Sequence, residues 1–104
     1  MLCKYKYGED MLLSEFANYI ESTYKKHYAG SVQPMELVIE NGDGLGFCRG
    51  AVIKYVCRYG KKNGKDRTDI MKALHYNLML LYIHDRDNLN TKTSQAEQAI
   101  KKAV

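Results

Sequence analysis

Residues 46–73 read GFCRGAVIKYVCRYGKKNGKDRTDIMKA, and the way this stretch divides decides the fold. At about 100° per residue, Cys48, Val52, Tyr55, Val56 and Tyr59 share one face of a helix predicted from about Phe47 to Tyr59. Lys54, Arg58 and Lys61 fall on the opposite face, with Arg49 to the side. Gly60 to Lys65 (GKKNGK) is a turn, because its two glycines and four polar residues break both periodicities. Asp66 then stands as an N-cap with Asp69 as its capping partner, and opens a helix predicted over 66–86. The stretch is helix, turn, helix.

The same residues concentrate the charge. Between Arg49 and Lys72 lie eight of the sixteen basic side chains, and only Asp66 and Asp69 oppose them. This segment carries +6 while the remainder carries −2, so the net +4 is a local patch. A concentrated positive field on a small domain selects phosphate-bearing partners and speeds their encounter. The row Lys54, Arg58, Lys61, Lys62 and Lys65 offers several donors to phosphate oxygens, with arginine able to bind in bidentate fashion. Tyr28, Tyr55 and Tyr59 are placed to stack on a base. A solvated face that keeps the protein soluble is the plain alternative.

Working outward, Leu12, Leu13, Phe16, Tyr19, Ile20, Thr23 and Tyr24 recur at helical spacing. Glu9 and Asp10 in the first turn and Lys25, Lys26 and His27 in the last suit the helix dipole. Met1 to Gly8 reads as an arm or a small edge strand, and Ala29-Gly30-Ser31 ends the first helix. The single proline, Pro34, starts a short helix to about Glu40. Asn41 to Gly46 reads as a glycine-rich loop whose amides could face an anion, without the spacing of a dinucleotide or P-loop motif. Leu78 to Ile83 is apolar all round, which calls for a central place or a subunit interface. Asp85 to Asn90 reads as a polar link, and residues 87–104 as a last helix or clasp.

These elements predict a single all-α domain over 1–104, a compact bundle of about four helices that forms a homo-oligomer. Cys3, Cys48 and Cys57 make no CxxC pair, so they read as free thiols. With no signal-peptide core and no run of membrane-spanning length, the expected location is the cytoplasm, with no membrane partner.

Catalytic signatures are sparse. The serines lack a GxSxG context, and His27, His75 and His84 lack HExxH spacing. His27 sits at a helix end, positioned for a phosphate, a base or simple capping, while His75 reads as packed and His84 as a surface residue. Glu36 with Glu40 and Asp66 with Asp69 are carboxylate pairs of the type that holds magnesium, but capping accounts for the second pair and six cations surround it. No metal and no cofactor is expected.

The pattern His27-Tyr28, Gln33, Gly50-x-x-x-Lys54-Tyr55-x-x-Arg58, Lys61-Lys62-x-Gly64 and Asp69-x-x-Lys72-Ala73-x-x-Tyr76 resembles a small phage-encoded family. Its members are described as nucleotide kinase-like or as abortive-infection sensitivity (SaV-like) proteins. The resemblance covers about His27 to Leu81, with Ala51 standing where the family has asparagine. It implies a bacteriophage protein in an infected bacterial cell, an oligomer, and a nucleotide or cyclic nucleotide ligand. The expected ligand-binding residues are His27, Tyr28, Gln33, Arg49, Lys54, Tyr55, Arg58, Lys61, Lys62 and Lys65. The leading expectation is sequestration of a host nucleotide, plausibly a defence second messenger. A P-loop-free deoxynucleoside monophosphate kinase and a nucleic-acid-binding module stand as alternatives.

Overall fold

The computed structural model describes residues 4–27 and 34–103, with side chains over 4–26 and 34–89. The expected roles of Cys3, Tyr28 and Gln33, the His27 side chain, the 29–31 turn and the side chains of any clasp beyond Leu89 lie outside the described residues. Four helices follow in order: α1 (Glu9–His27), α2 (Pro34–Glu40), α3 (Gly44–Arg58) and α4 (Arg67–Ala103). The all-α architecture is the one the periodicity predicts.

The centre of the fold is an antiparallel hairpin of α3 on α4, and its register can be followed side chain by side chain. Arg58 faces Asp69, Tyr55 meets Lys72 and Tyr76, and Gly44 lies against Ile83. Stepping back along α3 from Arg58 to Gly44 matches stepping forward along α4 from Asp69 to Ile83. Gly44 is what allows the helices to close at the far end. A β-carbon there would come within 3.0 Å of both Ile39 and Ile83. Cys48, fully buried, Ala73 and Ile83 complete the apolar contact.

Three sequence expectations change here. First, α3 starts at Gly44, so the glycine-rich loop shrinks to Asn41–Asp43. Only Gly42 takes a left-handed φ of +87° there, while Gly44 and Gly46 sit inside the helix. Second, the buried face of α3 is turned relative to the apolar face read from sequence. It runs through Gly44, Cys48, Tyr55 and Arg58, leaving Val56 exposed and Tyr59 largely so. The close approach at Gly44 and the carboxylate of Asp69 fix this rotation, and they outweigh the burial of one valine. Third, α4 runs unbroken through Asp85–Asn90 to Ala103. That segment has no glycine or proline to stop a helix, and each of its polar residues costs only about 0.5 kcal/mol in a helix interior. Asn88 Nδ2 lies 2.7 Å from His84 Nε2, one turn back along the helix.

α1 attaches more thinly. Phe16 is buried and Tyr19 lies beside it, and both rings meet His75 edge-on at 6.2 and 6.1 Å. Glu15 is also hydrogen-bonded by Arg67, which holds its carboxyl below the usual range. Residues 4–7 form a turn rather than a strand. The amide of Lys4 donates to Asp10 Oδ2 and that of Tyr7 to Glu9 Oε1, so the acidic first turn folds the arm onto its own helix. No helix is long and apolar enough to cross a membrane among the described residues.

Candidate anion site on the α3–α4 hairpin

The site is built on stacked rings. Tyr76 of α4 lies between two rings of α3: it stacks on Tyr55 at 5.9 Å with planes 10° apart, and meets Phe47 at 6.0 Å. Phe47 and Tyr55 are two turns apart, and Ala51 stands one turn from each. Its methyl group leaves room that a longer side chain would occupy. Stacked pairs of this kind contribute about 0.5–1.5 kcal/mol beyond the area they bury.

Two cations converge on the same platform. Lys54 Nζ lies 4.9 Å from the Tyr55 ring centroid and Lys72 Nζ 5.3 Å from it, one from each helix. Among the described residues neither lysine has a carboxylate partner. Both ammonium groups lie close to one ring, so an anion drawn to either meets a field that both raise. A cleft of about 130 Å³ opens beside Lys72, lined also by Tyr19, Thr23, Tyr55, His75, Tyr76 and Met79. The Thr23 hydroxyl donates to the Ile20 carbonyl at 2.7 Å.

Arg58 is drawn differently from the sequence expectation. It is three-quarters buried and turned toward Asp69, its Nε 3.7 Å from Oδ1 of a side chain that is itself 95% buried. This is an ion pair without a hydrogen bond, and both Arg58 Nε and Asp69 Oδ2 are buried with no partner among the described residues. Asp69 therefore serves the hairpin contact and not the cap. Capping falls to Asp66, whose Oδ1 accepts from the Thr68 amide at 2.9 Å.

Of the expected binding residues, the hairpin brings Lys54, Tyr55 and Arg58 onto neighbouring turns. Lys61, Lys62 and Lys65 stand exposed in the connecting turn, which closes with the Gly60 amide on the Gly64 carbonyl at 2.8 Å. Arg49 is exposed on α3, away from the ring platform. Sequence reasoning missed Lys72 and Tyr76 as site residues. Both lie on the predicted helix 66–86, and the antiparallel return of that helix is what carries them to Tyr55. Among the described residues no cluster of three or more metal-ligating side chains is present, and Cys48 and Cys57 are free thiols.

The sequence profile of DUF3310, a protein family of unknown function, matches residues 22–77. That is more than half of the chain, and the chain belongs to the DUF3310 family. The matched span takes in the last third of α1, all of α2 and α3, α4 as far as Asn77, and every residue of the ring and lysine platform. No curated protein and no solved structure matches the chain.

Proposed function

We propose that this protein binds a nucleotide through its phosphates at the α3–α4 hairpin and holds it without turnover. The observation that carries the reading is the convergence of Lys54 and Lys72 on the Tyr55 ring. The turn lysines Lys61, Lys62 and Lys65, exposed beyond the end of α3, extend the positive field for further phosphate oxygens. Sequestration is favoured over catalysis by the chemistry of the lining: cations and phenols hold phosphate, and the Asp69 carboxylate nearby faces Arg58. The resemblance to phage-encoded proteins suggests a setting in an infected bacterial cell, with a host nucleotide or nucleotide second messenger as the captured ligand.

Titration calorimetry with nucleoside mono-, di- and triphosphates tests the reading. Binding that weakens at least tenfold in Lys72→Ala, with the nucleotide recovered intact, supports it. ADP release coupled to phosphorylation of an added nucleoside monophosphate would instead establish the kinase reading, since phosphoryl transfer runs largely on positioning and cationic stabilisation. Affinity that rises with strand length and falls steeply with salt would favour nucleic acid.

A partner copy belongs to the same proposal. Ile70, Leu74, Leu78 and Leu81 form an uncovered stripe along α4, beside the exposed Leu13 of α1. A second copy pairing on this stripe gives a closed homo-oligomer. Sedimentation of wild type against Leu78→Asp/Leu81→Asp checks it, the variant being expected to run as a monomer.

A further inference from the structure

Two openings lie side by side along α4. The smaller is the cleft at Tyr55 and Lys72; the larger, about 620 Å³, lies between α1, α2 and α4. His75 and Met79 line both, so one pair of side chains forms their common wall. The larger opening is floored by Ile20, Met35, Ile39 and Met79, an apolar surface whose two methionines adapt to a flat ring. Its volume falls within the usual 300–1,000 Å³ of small-molecule clefts. Burial holds the His75 imidazole below its ordinary pKa, so at neutral pH the shared wall is uncharged.

The charged groups at its edge are two carboxylates and Arg86, whereas the smaller cleft has a lysine alone. Glu36 and Glu40 both line it from α2. Glu40 is paired with Arg86 at 3.5 Å, whereas Glu36 has no ion-pair or hydrogen-bond partner among the described residues. An ionised carboxylate only accepts hydrogen bonds, and its two oxygens match a ring N–H beside an exocyclic amine. From Lys72 to Met79 the helix rises about 10 Å, comparable to the reach from a nucleobase to its first phosphates.

We infer that the larger cleft is the base pocket for the nucleotide whose phosphates lie at Lys54 and Lys72, and that Glu36 reads a base edge carrying adjacent N–H donors, as guanine does. The inference rests on the phosphate-binding reading above and names the ligand class for it. The ring lies on Ile39 and Met79, the sugar passes His75, and the phosphates reach the lysine pair. Bases that turn an acceptor toward the carboxylate are rejected.

Calorimetry with GDP, ADP, CDP, UDP and inorganic pyrophosphate, on wild type and Glu36→Gln, tests this. The expected result is GDP binding about tenfold more tightly than the other four, in line with the discrimination a bidentate contact gives. Glu36→Gln removes that preference and leaves pyrophosphate affinity unchanged; the exposed position on α2 spares the fold. Equal affinity for all five ligands overturns the base pocket and leaves the phosphate site standing. Preference for another base, or a guanine preference that survives Glu36→Gln, overturns the assigned edge. Failure of pyrophosphate and every nucleotide to bind removes the phosphate reading itself, and this inference with it.

Discussion

The two faces of α4 differ in what holds them. Toward α3 the contact is specified at several levels: a glycine that permits close approach, a buried thiol, a three-ring cluster and a largely buried ion pair. Toward α1 it rests on Phe16, Tyr19, His75 and one exposed ion pair, with an open groove of about 450 Å³ alongside. Hairpin partners are near in sequence, so little chain entropy opposes their meeting. α1 must close a longer loop for fewer contacts. The hairpin is the unit that defines the site, and α1 is the element that a ligand or a second copy has room to adjust.

The largest effect is expected at the hairpin. Asp69→Ala leaves Arg58 largely buried without its counter-charge, at a cost of about 3 kcal/mol, the lower end for broken buried pairs because Arg58 keeps some exposure. Urea denaturation reads this as a lower midpoint with an unchanged slope. Phe16→Ala tests the other face and is expected to cost about 2 kcal/mol, below the usual range for a buried phenylalanine because the open groove lets neighbours relax. Hydrogen exchange separates the two cases. Asp69→Ala raises exchange in α3 and α4 together, while Phe16→Ala raises it in α1 and leaves the hairpin protected. Loss of hairpin protection in both variants would mean that the two faces unfold as one unit. Gly44→Ala is smaller, about 1 kcal/mol, because the flexible end of Ile83 can yield although the Ile39 side is tighter.

The helices of the hairpin were legible in sequence because a 3.6-residue pattern and an aspartate cap mark them directly. The register was less legible. Val56 and Tyr59 looked like core residues and Arg58 like a surface cation, since a hydrophobic pattern cannot show that Asp69 waits on the facing helix to receive a charge. The platform was half visible for the same reason. Lys54 and Tyr55 adjoin each other in the basic segment of α3, but Lys72 and Tyr76 join them only through antiparallel packing. The polar run Asp85–Asn90 looked like a link by composition, yet nothing in it forbids a helix that is already propagating. The spacing of Glu36 and Glu40 suits a metal pair in sequence, and the volume between α1, α2 and α4 that they line appears only in three dimensions.

The α1 contact offers the finest test, because its two polar parts titrate in different windows. His75 is packed against Phe16 and Tyr19, with Lys72 one turn away on its own helix and Glu36, Glu40 and Arg86 around the cleft it shares. Burial depresses its pKa, so the unfolded chain takes up a proton before the folded one does. The stability this carries is fully present above the ordinary histidine value of about 6.5 and is lost as pH falls below it. Glu15 is depressed by the Arg67 hydrogen bond, so its contribution persists until pH falls below the ordinary glutamate range, near 4.5. Thermal melts between pH 7.5 and 5 should show a modest fall in midpoint that His75→Gln abolishes and Glu15→Gln leaves intact. A fall of equal size in His75→Gln would place the sensitivity elsewhere and loosen the link between this histidine and the docking of α1.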